Sequence, residues 1–444
     1  GFAVRLIEMH PFRTTGAHHG DKCAELVCSN SLKSTKEASA AGMLKAELEL
    51  LGSHLLAFAH ESSVPAGGAL AVDREQFASL VTDALVQAGV ARIEAEVVGI
   101  DPSGAFIIED AHHEGPYVLE DPAPFCIIAT GPLTSPALAE SLRALTGEDH
   151  LSFYDAAAPI VYADSLDYDV VFGQSRYEEG VGDYLNAPFN KEEYEAFAQE
   201  LIDARCVIKK EFESSDLFQA CQPIEEIARK GFDAPRFGPL KPVGLVDPRT
   251  QKRPWAVVQL RAEGRDKQCY NLVGFQTNLA FPEQERVFRM IPGLEHAQFA
   301  RYGVMHRNTF INAPELLNCH LELQSAASRA LPVRLYVAGQ LSGTEGYVEA
   351  IASGLLASLN VRAAVRGIEL DPIPRESAFG ALIDYATDPE TKDYQPMHVN
   401  FGILPPFEER IRNKQQRYEA YAQRGSEAMK SYVSALVPLL EGTN

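Results

Sequence analysis

The sequence predicts an α/β fold whose parallel sheet is interrupted by an α+β segment, and three observations support this prediction. Residues 125–131 form a continuous apolar run ending in Ala-Thr-Gly, which is typical of a strand buried on both faces of a parallel sheet. Residues 334–339 again combine a strand pattern with a glycine, and a helical pattern follows at about 346–366. The intervening residues 176–295 carry many turns, scattered aromatic side chains and alternating strand patterns, which favour a separate α+β unit.

The remaining elements follow from hydrophobic periodicity, capping patterns and turn residues. In chain order, the predicted elements are a strand at 3–8, a helix across 43–60, a glycine-bearing connection at 64–72, a helix beginning after Asp73, a strand at 93–100, a turn at 101–104, strands at 105–109 and 116–119, strands at 256–260 and 270–275, and a C-terminal helix at 408–440. The chain is therefore divided into a discontinuous domain at 1–180 and 296–444 and an insertion domain at 181–295.

The composition is that of a folded globular protein, because 46% of the 444 residues are hydrophobic and 23% are charged. No stretch approaches the roughly 18 apolar residues that a membrane-spanning helix needs. The net charge of −21 argues against a generally basic nucleic-acid binder. It is still compatible with a local basic patch, since binding depends on the local field.

The seven cysteines are an odd number at low density. This usage indicates a reducing, cytoplasmic environment rather than a disulfide framework. No Cys-x-x-Cys pair occurs, and no cysteine–histidine cluster has the spacing of a zinc site, so no metal site is predicted.

Glu8 ends the first predicted strand. In dinucleotide-binding units, an acid at the end of the second strand binds the ribose, about 20 residues after a glycine-rich turn. If Glu8 has this role, the first strand and the phosphate loop are expected to precede Gly1. The simpler interpretation is that Glu8 ends an edge strand and has no ligand.

The segment 229–254 is strongly basic. Its basic residues are Arg229, Lys230, Arg236, Lys241, Arg249, Lys252 and Arg253. Only Asp233 and Asp247 oppose them within the segment. The segment is interpreted either as a contact for nucleic-acid phosphates or as an ordinary solvated loop.

Six segments of the chain recur almost unchanged in one protein family. They are ELVCSNS at 25–31, VPAGGALAVD at 64–73, FYDAAAP at 153–159, RFGPLKPVG at 236–244, YGVMHRNTF at 302–310 and AGQLSGTEGYVE at 338–349. On these segments the chain resembles the folate- and FAD-dependent tRNA uracil-5 methyltransferase family (TrmFO type), from its first residues to about residue 420. Such long and uncommon segments are far more specific than a single glycine motif.

The resemblance implies a glutathione-reductase-like FAD-binding domain of the Rossmann type, interrupted by the insertion domain. It implies that the substrate is the uridine at position 54 in the T loop of tRNA. Methylenetetrahydrofolate would donate the carbon, FAD would carry it, and NADPH or NADH would supply the electrons. A cytoplasmic protein with no stable protein partner is expected. Family members begin with a strand and a G-x-G-x-x-G loop, and this chain matches them from just before the second strand.

The resemblance also assigns roles to residues. Cys28 and Cys221 correspond to the two functional cysteines: Cys221 is expected to add to uracil C6, and Cys28 to assist in methylene transfer or in proton removal, with the two roles open to exchange. The cofactor-binding residues are expected to be Glu8, Thr130, Gly131, Gly339, Gln340, Gly343, Glu345 and Gly346. The substrate-binding residues are expected to be His18, His19, Asn30, Arg307, Asn308 and Tyr347 near the folate and the uridine, and Arg236, Lys241 and Arg253 on tRNA phosphates. Several of these side chains would serve equally well as structural residues.

Three other functions are compatible with parts of the sequence. The first is a flavin-dependent enzyme of the tRNA wobble uridine, a family whose members are longer. The second is a small-molecule flavin oxidoreductase, for which Cys23 and Cys28 have the spacing of a redox pair. The third is a non-catalytic tRNA chaperone, which would not need Cys221.

Overall fold

The computed structural model describes residues 2–15, 18, 20–147, 151–177, 182–207, 222–391, 394–409 and 411–441, with 151–156, 306–307 and 440–441 described by their backbone alone. The helices are α1 Ala40–Leu50, α2 His54–Glu61, α3 Arg74–Gln87, α4 Pro136–Thr146, α5 Lys191–Asp203, α6 Ile224–Lys230, α7 Ala234–Phe237, α8 Phe281–Phe288, α9 Ala313–Leu316, α10 Ala326–Arg329, α11 Tyr347–Val365, α12 Ala378–Thr387 and α13 Lys414–Glu441. The strands are β1 Arg5–Glu8, β2 Ser31–Ser34, β3 Ser63–Val64, β4 Ala69–Val72, β5 Ala91–Glu94, β6 Glu96–Ile100, β7 Phe106–Glu109, β8 Tyr117–Val118, β9 Phe125–Ile128, β10 Leu151–Ala156, β11 Ile160–Tyr162, β12 Phe172–Gly173, β13 Tyr184–Phe189, β14 Ala256–Ala262, β15 Cys269–Leu272, β16 Phe299–Arg301, β17 Met305–Phe310 and β18 Arg334–Val337.

The parallel strand pairs are those of an α/β fold. β1 pairs with β5, and β9 pairs with β18, although the last two are about 200 residues apart in the chain. Apolar side chains of β9 and β18 join α1, α11 and α12 in the larger hydrophobic core. The predicted α/β class is therefore confirmed, and the apolar segments at 125–131 and 334–339 contain neighbouring parallel strands.

The predicted helix across 43–60 is wrong in one respect, because the structure has two helices there. α1 ends before Gly52, whose φ of 70° lies in the left-handed region. Ser53 then caps α2, with its side chain accepting a hydrogen bond from the Leu56 backbone N–H. The leucine spacing continues through the break because both helices pack on the same core. The predicted cap at Asp73 is confirmed, since its carboxylate accepts from the N–H of Gln76.

A second hydrophobic core lies in the middle of the chain. Its antiparallel sheet has the strand order β12-β13-β14-β15-β11-β16, and apolar side chains of α5, α6 and α8 pack with it. The buried side chains of this smaller core run from Ala158 to Ala297 in the chain. The predicted α+β character of the middle of the chain is confirmed.

The two connections between the cores pair with each other. β10 leads toward the smaller core and β17 leads back, and they form an antiparallel two-stranded ribbon from Leu151 opposite Phe310 to Ala156 opposite Met305. Phe310 belongs to the larger core, whereas Ala158, just beyond β10, belongs to the smaller one. The smaller core is thus entered and left at one place.

Within the described part of the chain, α11 alone has the length and apolar composition that crossing a membrane requires. Half of its most apolar stretch is buried inside the protein. Val348, Ile351 and Leu356 on this helix belong to the larger core. Its apolar character is that of a core helix.

Candidate active site

The parallel strands β9 and β18 bring several predicted cofactor-binding residues to one edge of the sheet. Their register places Ile128 opposite Val337 at the carboxyl ends of both strands. Thr130 and Gly131 follow β9, and Gly339 follows β18. Because ligands of open α/β sheets bind at the carboxyl ends of the strands, this edge is suited to a nucleotide cofactor.

The backbone at Gly131 is open to a ligand. Its φ is 68°, and a Cβ added there would meet no heavy atom within 4 Å. The hydroxyl of the preceding Thr130 lies 2.7 Å from that of Thr134 and so shares a hydrogen bond with it. A ligand can therefore approach the main chain closely at this turn.

The turn after β18 is held by internal hydrogen bonds. The Gly339 N–H donates to the Ser353 hydroxyl at 2.8 Å. The Gln340 side-chain amide donates to the carboxylate of Glu345. Gly343 has a φ of 74°, and the ring of Tyr394 occupies the space that a Cβ would need. Glycine is therefore required at this position.

An ion pair lies beneath the start of α11. The Lys33 ammonium donates to the Glu349 carboxylate at 2.8 Å, and the Glu349 side chain is fully buried. Gly346 caps this helix with a φ of 113°, and a Cβ there would lie 2.7 Å from the Lys33 nitrogen. The closeness of the pair explains why the chain has glycine at this cap.

Glu8 lies at the end of β1, as predicted, and it contacts a histidine that the sequence did not single out. Its carboxylate accepts from the His10 backbone N–H at 3.1 Å, and the His10 Nδ1 is 3.5 Å away. The His10 ring is buried and lies 4.3 Å from the His18 ring, between centroids. The structure thus brings Glu8 and His18 together through His10. His19 lies outside the described residues.

Cys28 lies where elements of both cores meet. Its backbone N–H donates to the Tyr347 hydroxyl at 2.8 Å. Its carbonyl accepts from Arg74 at 3.2 Å and from Arg301 at 3.1 Å. Tyr347 begins α11, Arg74 begins α3, and Arg301 ends β16 of the smaller sheet. The half-buried Cys28 is therefore held between three elements.

The two arginines have different electrostatic surroundings. Arg74 donates to Glu263 at 2.6 Å, and this pair is largely buried. Burial alone would lower the pKa of Arg74, but Glu263, Tyr347 and Cys28 together raise the pKa above its ordinary value. Burial lowers the pKa of Arg301, and the positive charge of Arg74 lowers it further.

Asn30 connects the two cores. Its side-chain amide donates to the carbonyls of Val72 and Ala262, both at 3.1 Å. Its side-chain oxygen accepts from Arg261 at 2.8 Å. The fully buried Asn30 side chain therefore joins β4 of the larger core to β14 of the smaller one. These contacts attach the loop that carries Cys28 to both cores.

The remaining substrate-binding candidates lie near the ribbon and α11. Asn308 is buried in β17, opposite Phe153 of β10. Arg307 precedes it in the same strand, and only its backbone is described. Burial raises the pKa of Tyr347, and the neighbouring Cys28 adds to this shift. Its hydroxyl is therefore protonated at neutral pH and available to hydrogen bond.

Cys221 lies outside the described residues. On one side of it in the chain, the Val207 N–H donates to the Asn278 carbonyl at 2.8 Å. On the other side, the Ile224 N–H donates to the carbonyl of residue 276, also at 2.8 Å. The described ends of the chain around Cys221 are thus attached to one short segment of the smaller core.

The cysteines outside the candidate site have the properties of inert thiols. Burial raises the pKa of Cys126 to about 12. Burial also raises the pKa values of Cys23, Cys206, Cys269 and Cys319. Cys23 and Cys28 are both free thiols. The arrangement offers no support for a Cys23–Cys28 redox pair.

The basic segment at 229–254 is only partly available to a nucleic acid. The Arg236 guanidinium stacks 3.6 Å over the Trp255 ring and donates to Asp233 at 3.2 Å. Lys241, Lys252 and Arg253 are exposed and form no ion pair within the described chain. The other ion-paired arginines of the segment are Arg229 with Glu226 and Arg249 with Asp247.

Sequence reasoning missed Arg74 and Arg301, which contact Cys28, and Glu263, which pairs with Arg74. Arg74 directly follows the recurring segment at 64–73, and Arg301 directly precedes the one at 302–310. Their positions beside recurring segments could have identified both arginines as candidate site residues. Glu263 had no comparable signal, because its role depends on the long-range contact with Arg74.

The residues at the sheet edge fit a flavin nucleotide. The open backbone at Gly131 allows close approach at the end of β9, and Glu8 ends β1 of the parallel pair β1–β5. Among the described residues, no group of three His, Cys, Asp or Glu side chains is arranged to hold a metal ion.

Comparisons with known proteins agree with this architecture. The family model described as glucose inhibited division protein A matches residues 1–369. One solved structure of GidA from Aquifex aeolicus superposes with a TM-score of 0.64 at 16% identity, covering 94% of this chain and 72% of that one. At this identity, the likeness concerns the fold alone.

Curated relatives are much more similar in sequence. The chain is 48% identical over 436 residues to the methylenetetrahydrofolate–tRNA-(uracil-5-)-methyltransferase TrmFO of Bacillus pumilus, covering 98% of this chain and 94% of that protein. It is 48% identical over 433 residues to the protein of the same name from Moorella thermoacetica, covering 97% and 93%. The chain belongs to the glucose inhibited division protein A family and, within it, to the TrmFO-type methylenetetrahydrofolate–tRNA-(uracil-5-)-methyltransferases.

Proposed function

We propose that this protein is a cytoplasmic, FAD-dependent methyltransferase that forms 5-methyluridine at position 54 of the tRNA T loop, with methylenetetrahydrofolate as carbon donor. The observation that carries the proposal is the identity of about 48% over 98% of the chain to a relative named for this activity. The position of Cys28 between the two cores supports it.

The chemistry requires a nucleophile and a base. Uracil C5 is a poor nucleophile, and addition of a thiolate to C6 makes C5 electron-rich enough to attack a one-carbon electrophile. A base then removes the C5 proton, and the thiolate leaves C6. We assign the addition to Cys221 and the assisting role to Cys28; the reverse assignment uses the same residues.

The protein's own contribution at Cys28 is positioning. Its backbone is held by Tyr347 on one side and by Arg74 and Arg301 on the other. Asn30, two residues along the chain, ties the same loop to the smaller core. These contacts hold the backbone of Cys28 in place relative to both cores, as proximity catalysis requires.

The proposed cofactor site uses the two strand ends. Thr130 and Gly131 would contact FAD from the end of β9, and Gly339, Gln340, Gly343, Glu345 and Gly346 from the turn after β18, with Glu8 at the ribose. When bound, FAD supplies the capacity to carry a one-carbon unit and a hydride, with NADPH or NADH as the source of electrons. The open backbone at Gly131 and the ordered turn after Gly339 support this placement.

The proposed substrate site lies around the Cys28 loop. His18, His19, Arg307, Asn308 and Tyr347 would surround the folate and the extruded uridine. Asn30 would act through its contacts with both cores.

The proposed insertion domain carries tRNA-binding residues. The separate smaller core supports this division, and because that core begins at Ala158, the insertion is better placed from about 157 than from 181. Lys241 and Arg253 are the exposed candidates for phosphate contacts. Arg236 would contribute chiefly through its stacking on Trp255.

The tRNA surface can be tested with the double variant Lys241→Gln/Arg253→Gln. We expect an approximately tenfold rise in KM for a T-arm RNA with an unchanged kcat, because phosphate contacts add affinity without chemistry. The slope of log K against log salt concentration should also fall by about 0.7 to 0.9 per lost contact. Arg329→Gln, an exposed arginine on the other core, is the control. Unchanged binding in the double variant would remove this surface from the proposal.

The activity itself is tested with purified protein and a T-arm transcript. We expect methylation at the T-loop uridine only when methylenetetrahydrofolate and a reductant are both present. Transfer of the methyl group from S-adenosylmethionine instead would refute the proposal. Tight tRNA binding without any methylation would favour a chaperone function.

A further inference from the structure

Two guanidinium groups converge on one neutral acceptor beside Cys28. Arg74 and Arg301 donate to its carbonyl at 3.2 and 3.1 Å. A carbonyl oxygen has two lone pairs and accepts both bonds, but it carries no full negative charge. The carbonyl therefore satisfies the hydrogen bonds of both arginines. It does not offset the electrostatic repulsion between their positive charges.

Among the described residues, the carboxylate of Glu263 is the one that offsets the positive charges of Arg74 and Arg301. Glu263 forms an ion pair with Arg74 at 2.6 Å. Arg301 forms no ion pair within the described chain, and its buried Nε has no hydrogen-bond partner there. Burial and the charge of Arg74 lower the pKa of Arg301, and the negative charge of Glu263 offsets this lowering only in part. The three side chains of Arg74, Arg301 and Glu263 together therefore carry an excess of one positive charge.

This charge is fixed in place. Arg301 ends β16, where it lies opposite Ile160 of β11 in the smaller sheet. Arg74 begins α3 and also donates to the Leu26 carbonyl. Neither arginine is on a free surface loop, so the positive charge remains beside Cys28. A buried, uncompensated charge is costly unless a partner is present for part of the working cycle.

We propose that Arg301, supported by Arg74, binds an oxyanion of a substrate next to Cys28. This inference rests on the proposed function and deepens it. Two substrates carry the required chemistry: RNA has a phosphodiester beside the target uridine, and the folate donor has a carboxylate tail. The planar fork of a guanidinium matches the paired oxygens of either group.

The test compares Arg301→Gln and Arg301→Lys with a control on the same side of the molecule. Arg265→Gln is the control, because Arg265 likewise donates to a backbone carbonyl of the larger core, that of Glu61, but is exposed to solvent. For each variant, KM and kcat are measured separately for a T-arm RNA and for methylenetetrahydrofolate. The affinity for the RNA alone is also measured across a series of salt concentrations.

If the oxyanion is an RNA phosphate, Arg301→Gln should raise KM for the RNA about tenfold and lower its salt slope by about one. Arg301→Lys should have an intermediate effect, and Arg265→Gln should match the unchanged protein. If the oxyanion is the folate carboxylate, KM for the donor should rise instead. That rise should vanish with a donor whose glutamate carboxylates have been converted to neutral amides. Either result supports the inference and identifies the source.

Unchanged KM values for both substrates in Arg301→Gln would overturn the inference. So would equal loss of kcat in the Gln and Lys variants with both KM values unchanged, because that pattern indicates that Arg301 only shapes the Cys28 loop. A failure of the proposed function is distinguishable from either result, since the unchanged protein itself would then not methylate the RNA.

Discussion

Replacing Cys28 with alanine is expected to lower methylation of a T-arm RNA by about 10³-fold or more, as removal of a reacting group from a catalytic site typically does. The contacts that hold this residue to Tyr347, Arg74 and Arg301 use its backbone N–H and carbonyl. Alanine preserves these atoms, so the loop and the RNA affinity should be retained. Turnover and RNA binding, measured on the same preparation, check this expectation.

Cys126→Ala is the matched control, because Cys126 is a buried thiol of β9 with a pKa of about 12. It should leave methylation within about twofold of the unchanged protein. Cys221→Ala should be as inactive as Cys28→Ala if both thiols take part in the reaction. Substantial methylation by Cys28→Ala would contradict the assignment of Cys28 to the active site.

Replacing Glu263 with glutamine is expected to destabilise the protein by about 3–5 kcal/mol, the usual effect of removing one partner of a buried ion pair. The Arg74 guanidinium would keep its burial and its neighbour Arg301 but lose its only paired carboxylate among the described residues. The free energy of unfolding, measured by denaturant titration, gives the magnitude. Methylation should decrease too, because Arg74 helps to hold Cys28.

Two further variants make the Glu263 result specific. Glu322→Gln breaks the pair with Arg334, whose side chain is 48% exposed, and should change stability by less than about 1 kcal/mol. The double variant Arg74→Met/Glu263→Gln should recover part of the stability, because no uncompensated charge remains in the pair. Equal effects of Glu263→Gln and Glu322→Gln would show that burial does not make the Arg74–Glu263 pair special.

Local patterns were sufficient to predict much of the fold. The apolar runs at 125–131 and 334–339 correspond to the neighbouring parallel strands β9 and β18, whose apolar side chains pack in the larger core. Periodicity did not reveal the break at Gly52, since both helices face the same core and keep the same spacing.

The candidate site was less accessible to sequence reasoning. Recurring segments identified Cys28, whereas the contacts of Arg74, Glu263 and Arg301 join positions far apart in the chain. Counting charges placed Arg236 among the phosphate-binding candidates. The count could not show that its guanidinium is stacked on Trp255, because stacking depends on three-dimensional packing.

The ribbon of β10 and β17 has a mechanical consequence. A two-stranded ribbon twists more readily than a wide sheet, while its ladder of backbone hydrogen bonds resists sliding of one strand along the other. The Asn30 hydrogen bonds and the Arg74–Glu263 pair also join the two cores, so they oppose twisting of the ribbon and help to hold the smaller core in place.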